Sequence, residues 1–288
     1  MANKDSKIGV LGAGTMGAGI AQVAAQAGFS TLLYDIAPEF LDTGMGRIRS
    51  FLKGSRERGK ISPEQEQQVL DRLSTTTSLD DFKEFELIIE AAPEKLELKR
   101  DIFKHLDALC SPATLIASNT SSFSITAIAA STQRPERVLG LHFFNPPPLM
   151  ALVEVIQGDR TSEEAIDRAT ALMRAIGKTP ARAKDTPGFL VNRIARPFYN
   201  ESLRILGDGD ASVATIDRIM KEAGNFRMGP FELMDLIGND INFAATESLY
   251  ESFFQDPRLR PSPIQRRMVL GGNLGRKTGR GFYVYDKK

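Results

Sequence analysis

Histidine is scarce in this chain, two among 288 residues, and one of the two stands where proton chemistry could use it. His142 follows the apolar run Val138 to Leu141 and opens Phe143-Phe144-Asn145-Pro146-Pro147-Pro148, a rigid turn at a strand end. Twelve residues on, Glu154 is embedded among aliphatics in Leu152-Val153-Glu154-Val155-Ile156. Taken alone, Glu154 reads best as an edge-strand residue facing water; if buried, it needs a partner. A histidine beside it changes the chemistry. The carboxylate would fix the ring tautomer and stabilise the imidazolium, giving a general acid/base unit suited to neutral pH. His105, within Asp101-Ile102-Phe103-Lys104-His105-Leu106, lies in a helical pattern with charged neighbours and is expected at the surface.

A second set of residues could hold a dinucleotide. The strand-like run Lys7 to Leu11 leads into Gly12-Ala13-Gly14-Thr15-Met16-Gly17 and then a small-residue helix pattern, Ala18 to Ala27. Gly12 suits the tight strand-to-helix turn, Gly14 the approach of backbone to a pyrophosphate, and Gly17 the close packing of the helix. The helix N-terminus would face the phosphates with its unpaired N–H groups. A further strand, Ser30 to Tyr34, ends in Asp35, 18 residues after Gly17, where a carboxylate would meet the adenosine ribose hydroxyls. Its charge favours NAD over NADP, and Ile36-Ala37-Pro38 offers no arginine to neutralise a 2′-phosphate. Alone, Asp35 would only end a strand and start a turn.

Three other stretches belong with these. Ser118-Asn119-Thr120-Ser121-Ser122 follows a strand and precedes a helix, so it can cap that helix, place polar groups at the nicotinamide end of a cofactor, or do both. Asn192 is polar among apolar neighbours in Pro187-Gly188-Phe189-Leu190-Val191-Asn192-Arg193, near the start of a helix placed to close over a cleft. Arg47, Arg49, Lys53, Arg56, Arg58 and Lys60, against the single acid Glu57, form the most basic stretch. It reads equally as a solvated helix face and as a receiver of phosphates.

The elements that must position these residues alternate. Strand candidates are Lys7 to Leu11, Ser30 to Tyr34, Leu87 to Ala91, Leu115 to Ser118, Val138 to Leu141, Leu152 to Ile156 and Pro180 to Ala183. Helical patterns lie between them, two of them, Pro38 to Lys53 and Pro63 to Leu73, forming a hairpin inserted after Asp35. The alternation predicts an α/β domain over residues 1–186 with a mostly parallel sheet covered on both faces. From residue 187 to 288 the apolar residues recur at helical spacing, with breaks at Gly207-Asp208-Gly209, Gly224 to Pro230 and Asp256 to Pro263. An all-α domain follows, and its apolar faces suit a homodimer interface as well as a core.

Composition limits the function classes. A formal net charge of +1 with 25% charged residues lacks the basic bias of a nucleic-acid binder. Cys110 is the only cysteine, which excludes a disulfide framework or a cysteine-rich metal site within one chain and fits a reducing compartment. No uncharged apolar run approaches the ~18 residues of a membrane span, and Met1 to Ser6 gives no room for a signal peptide. The expectation is a cytoplasmic protein with no nucleic-acid, membrane or metal partner.

Together, the Gly12 to Gly17 turn, Glu90-Ala91-Ala92-Pro93-Glu94, Ser118 to Ser122, His142 to Pro146, Leu152 to Ile156, Asp185 to Arg193, Met228 to Leu233 and Gly275 to Tyr283 span nearly the whole chain. On these the chain resembles the L-3-hydroxyacyl-CoA dehydrogenase family, most of all its stand-alone bacterial 3-hydroxybutyryl-CoA members. The resemblance implies a Rossmann-like N-terminal domain, a helical dimerisation domain, and reversible oxidation of the (S)-3-hydroxyl of an acyl-CoA with NAD. By resemblance His142 is the general acid/base and Glu154 its paired carboxylate. Ser121 and Asn192 match residues that hydrogen-bond the reacting oxygen and the thioester region. Gly12, Gly14, Met16, Gly17, Asp35, Ala92, Glu94, Lys99, Asn119, Ser121, Asn145 and Lys277 match cofactor contacts. Of these, Glu94, Lys99 and Lys277 rest on resemblance alone and otherwise read as solvated charges. The family holds CoA with a serine and lysines, for which Ser50, Lys53 and Arg58 are the candidates here, at a spacing that departs from the family's. Two alternatives stay open: an NAD-dependent dehydrogenase of a free 3-hydroxy acid, many of which use a catalytic lysine, and a non-catalytic NAD-binding relative.

Overall fold

Five residues, Lys7–Leu11, make the first strand, β1, and Gly12 after it takes φ 100°, a left-handed turn that delivers the chain into helix α1 (Thr15–Gln26). The computed structural model describes residues 6–285, and these form two units that divide between Thr186 and Pro187. In the first unit the chain continues through β2 (Ser30–Tyr34), the helical pair α2 (Pro38–Glu57) and α3 (Pro63–Asp71), and β3 (Leu73–Thr76). It then runs through β4 (Leu87–Glu90), α4 (Leu96–Leu109), β5 (Leu115–Ser118), α5 (Ile125–Ala129) and β6 (Val138–Phe143). β7 (Leu152–Gln157), α6 (Glu163–Ala175) and β8 (Thr179–Lys184) complete it.

The eight strands form one sheet in the order β3-β2-β1-β4-β5-β6-β7-β8. Every neighbouring pair is parallel except β6 and β7. The chain builds outward from β1 to β3, then crosses back to lay β4 on the other side of β1. The crevice above the carboxyl ends of β1 and β4 is therefore a topological switch point, where sheets of this kind bind ligands. Central strands are buried on both faces, as β4 illustrates with Leu87, Ile88 and Ile89 and, at its carboxyl end, the charged Glu90. Val10, Ile89, Ala117, Leu141 and Val155 pack with α1 and α6 into the main core. Because side chains alternate along a strand, Glu90, Ser118, His142 and Glu154 leave from the opposite face of the sheet.

Two details of the first unit differ from the sequence expectation. The helical pattern read through Leu73 stops at Arg72, the cap of α3, and Leu73 begins β3, an edge strand paired only with β2. β6 extends through Phe143, so His142 lies within the strand rather than after it. The second unit comprises α7 (Val191–Asp208), α8 (Val213–Glu222), α9 (Pro230–Ile237), α10 (Asn239–Ser252) and α11 (Pro263–Leu270) around Tyr199, Leu203, Ile216, Phe231 and Met234. A break absent from the sequence reading falls at Gly238, whose φ of 103° separates α9 from α10. No described helix is long and apolar enough to cross a membrane.

Candidate active site

At the switch point the Gly-rich turn forms one wall of a cavity of about 800 Å³, which Asp35, Phe40, Arg47, Ala92 and Leu98 also line. Each glycine of the turn meets a different constraint. A Cβ on Gly17 would lie 1.7 Å from the Gly12 carbonyl oxygen, so α1 can start this close to the turn only without a side chain there. At Gly14 a Cβ would meet nothing within 4 Å, and the backbone is open to the cavity. No side chain caps the N-terminus of α1. An open backbone beside an uncapped helix N-terminus fits a pyrophosphate, so the residues present suit a dinucleotide. Asp35, at the end of β2, accepts hydrogen bonds from the backbone N–H groups of Ala13 (2.7 Å) and Ile36 (2.8 Å). Arg47, one turn beyond Gly44 on α2, donates to the Ala13 carbonyl (3.3 Å). No arginine follows Asp35 directly in the sequence, but α2 folds one into the same cavity.

The His142 and Glu154 pair follows from strand register. β6 and β7 are antiparallel with His142 directly opposite Glu154, which puts both side chains on one face as close neighbours. His142 Nδ1 lies 2.6 Å from Glu154 Oε2. Glu154 is 0% exposed, and β7 lies between β6 and β8, so the water-facing edge reading does not hold. The Phe144 ring stands 4.6 Å from the imidazole, centre to centre. His105 is exposed on α4.

Between cavity and pair, the ends of β4 and β5 are joined by a buried ionic network. Glu90 is 0% exposed; it accepts from Lys99 Nζ (2.8 Å), Ser118 Oγ (2.6 Å) and the Ala92 backbone N–H (2.7 Å). Lys99, read from sequence as a solvated charge, is 1% exposed and also pairs with Glu94 (3.0 Å). Glu94 accepts in turn from Thr120 Oγ1, Ser122 Oγ and the Ser121 backbone N–H. Burial pushes the Glu94 pKa up, but the Lys99 charge and these hydrogen bonds outweigh it and hold the carboxyl below its ordinary range. The Ser118 to Ser122 run is thus shaped from beneath by two carboxylates. Ser121 is left exposed at its tip, and Asn119 Oδ1 accepts from the Phe143 N–H (2.9 Å), tying this loop to β6. The helix-capping reading also has its counterpart, in Ser124, which caps α5.

Sequence reasoning missed Glu90 and Lys178. Lys178 is buried, with its ammonium donating to the carbonyls of Pro147 (2.5 Å) and Met150 (2.8 Å), and burial pushes its pKa down. It holds the loop after β6 that carries the exposed Asn145.

Other candidates stand apart. Ser50 and Lys53 are on the exposed side of α2, opposite the buried Leu41, Ile48 and Leu52, and Arg58 is its exposed C-cap. Lys53 makes a 3.9 Å contact with Glu57, while Arg56 pairs with Glu66 (2.9 Å) and fastens α2 to α3. In the second unit, Asn192 occupies the first turn of α7 and its carbonyl accepts from Arg196 Nε (3.3 Å). Lys277 is half-exposed and donates to both oxygens of Asp240 (2.6 and 2.7 Å).

Comparison with known proteins agrees with this architecture. Residues 7–186 match the family model for the 3-hydroxyacyl-CoA dehydrogenase NAD binding domain, and residues 188–285 match that for the 3-hydroxyacyl-CoA dehydrogenase C-terminal domain. A 3-hydroxyadipyl-CoA dehydrogenase of Escherichia coli (strain K12) is 47% identical over 96% of this chain, which spans 58% of that relative's length. A protein from Deinococcus radiodurans described as a probable 3-hydroxybutyryl-CoA dehydrogenase is 47% identical over 97% of this chain and all of its own. The crystal structure of (S)-3-hydroxybutyryl-CoA dehydrogenase from Ralstonia eutropha superposes with a TM-score of 0.93 at 44% identity, covering 98% of this chain and 100% of that one. The chain belongs to the 3-hydroxyacyl-CoA dehydrogenase family of NAD-dependent oxidoreductases, and its first unit is the NAD-binding domain of that family.

Proposed function

We propose that this protein interconverts (S)-3-hydroxyacyl-CoA and 3-ketoacyl-CoA, with 3-hydroxybutyryl-CoA as a substrate and His142 as general acid/base. The observation that carries the reading is the 2.6 Å contact between His142 Nδ1 and the buried Glu154, within the NAD-binding unit. The NAD that the first unit would hold would supply the acceptor for the hydride released from C3. His142 takes the hydroxyl proton. Glu154 engages Nδ1, so the proton is exchanged at Nε2, and the carboxylate stabilises the imidazolium that forms. In the reverse direction the imidazolium returns the proton to the ketone oxygen. Ser121 and Asn192 hydrogen-bond the reacting oxygen and the thioester region, an effect worth about 3 kcal/mol for a well-placed donor. Asp35 receives the adenosine ribose, with Gly12, Gly14, Met16, Gly17, Ala92, Glu94, Asn119, Asn145 and Lys277 as further cofactor contacts; Lys99, buried against Glu90 and Glu94, acts through Glu94 rather than by touching the cofactor. The exposed side of α2, with Ser50, Lys53 and Arg58, takes the CoA phosphates.

The experiment follows NADH absorbance with acetoacetyl-CoA, in the wild type and in His142→Ala. Rapid NADH oxidation that collapses in the variant supports the assignment. An unchanged rate in the variant would remove His142 from the reaction. NADH binding without turnover on acetoacetyl-CoA or longer 3-ketoacyl-CoAs would favour a free-acid substrate or a non-catalytic role. The second unit is proposed to form a homodimer, in keeping with the exposure of Ile194, Ile219 and Ile241. A monomeric mass by light scattering at micromolar concentration would contradict that.

A further inference from the structure

Two opposed charges line the nucleotide cavity, and they grip the same residue. Asp35 Oδ2 holds the N–H of Ala13 (2.7 Å) and Arg47 Nη1 holds its C=O (3.3 Å). They are the only charged side chains among the cavity's described lining residues, and they do not pair with each other. The approach of Arg47 is built into the packing. A Cβ on Gly44 would come within 2.8 Å of the Ala13 carbonyl oxygen, so α2 lies tight against the turn and delivers the guanidinium one helical turn further on.

We propose that cofactor choice in this chain is set by these two residues together, with Arg47 a latent acceptor for a ribose 2′-phosphate that the Asp35 charge keeps out. The inference rests on the cavity being the NAD site. NADP differs from NAD by a phosphate on the ribose that Asp35 is placed to receive. The carboxylate repels that phosphate and the guanidinium attracts it. Arg47 makes no ion pair among the described residues, and its one hydrogen bond, to a neutral carbonyl, is long. Exchanging that bond for a charge-assisted, two-pronged contact with phosphate is favourable. Removing the Asp35 charge therefore leaves a cavity already equipped for NADP.

Calorimetric titration of the wild type, Asp35→Ser and Asp35→Ser/Arg47→Met tests this with NAD, NADP, 2′,5′-ADP and 3′,5′-ADP, the last carrying the phosphate arrangement of CoA. The wild type is expected to bind NAD in preference to NADP. Asp35→Ser should bind NADP and 2′,5′-ADP about tenfold more tightly than the wild type does, and the added Arg47→Met should abolish that gain. Should Asp35→Ser fail to fold, Asp35→Asn keeps an oxygen for the Ala13 N–H and supports the same comparison. A gain that survives Arg47→Met, or no gain in a variant that still binds NAD, overturns the proposal. So does an Arg47-dependent gain for 3′,5′-ADP but not for 2′,5′-ADP, which would make Arg47 a CoA contact. A wild type that binds neither dinucleotide would instead overturn the reading of the cavity.

Discussion

Replacing Glu154 by glutamine keeps its volume and leaves an oxygen within reach of His142 Nδ1, but removes the charge that stabilises the imidazolium. We expect Glu154→Gln to lower kcat about a hundredfold or more, with KM for acetoacetyl-CoA nearly unchanged, since the group acts through His142 rather than on the substrate. Steady-state kinetics that give kcat within threefold of wild type would take Glu154 out of the proton-transfer unit. Lys99 makes a second prediction at this scale. Lys99→Met leaves the fully buried Glu90 without its cation, and breaking a buried pair from one side costs about 3 kcal/mol, readable as a lower urea midpoint. A loss below about 1 kcal/mol would mean that Ser118 and the Ala92 N–H suffice for Glu90. The His142 and Glu154 pair was legible because His142 ends one apolar run and Glu154 is embedded in another. Lys99 was legible only in part. Unaided it read as a solvated charge, yet Leu96, Lys99, Phe103 and Leu106 follow one another at helical spacing, so the lysine falls on the packed face of α4. A lysine on an apolar stripe calls for a buried anion, and that was the signal to use.

The elements carry the site through two short-range devices, the Gly-rich turn and the β6–β7 register. Gly14 and Gly17 are both expected to lose NAD affinity on substitution by alanine, but only Gly17 to lose stability. Gly17→Ala drives a Cβ into the Gly12 carbonyl and must displace backbone, so we expect a loss of about 1–3 kcal/mol together with weaker NAD binding. Gly14→Ala meets open space, so its melting temperature should stay at the wild-type value while NAD affinity falls, because the methyl group occupies the path of the pyrophosphate. Thermal unfolding and NAD titration of both variants separate the roles; a Gly14→Ala protein with wild-type NAD affinity would move the phosphates away from this turn. The turn was legible from glycine spacing. β3 was not, because Leu73-Ser74-Thr75-Thr76 continues a helical pattern and pairs on one side only, so no buried apolar alternation marks it. The break at Gly238 was hidden likewise, between Leu236-Ile237 and an acceptable helix start at Asn239-Asp240, with only the glycine's positive φ to force it.

At the scale of the whole molecule, the two units are expected to fail at opposite ends of the pH range. In the first, burial alone would raise the Asp107 pKa, but hydrogen bonds from Arg137 and the Gln133 N–H, with the charges of Arg137 and Arg134, hold it below its ordinary value. A carboxyl lowered in the folded state contributes stability above the ordinary range near pH ~4, and that stability is lost as the pH falls through the folded value. Glu94 acts with the same sign. Asp107→Asn should therefore be less stable than the wild type at pH 7 and lose less on going to pH 3, by urea unfolding. The second unit is closed by its last described residues. The hydroxyls of Tyr283 and Tyr285 donate to Asp217 (2.8 Å) and Asp235 (3.0 Å), while the N–H groups of Phe282 and Tyr283 bind Asp235 (3.0 and 2.9 Å). Burial pushes the Tyr285 pKa up, and the Asp235 charge and hydrogen bond carry it to about 12. Tyr283 is raised by burial and by Asp217. A tyrosine raised in this way contributes stability that is complete below its unfolded pKa of about 10. That contribution is lost as the pH climbs towards the folded value, because the phenolate cannot donate to the carboxylate it faces. Between pH 10 and 12 the second unit should loosen, and Tyr285→Phe should be less stable at pH 8 yet flatter across that window. Hydrogen exchange at the two pH values would localise the change: protection lost first in α8 and α9, with the sheet of the first unit still protected, is the expected order, and simultaneous loss would mean that the tyrosine contacts do not set the alkaline limit.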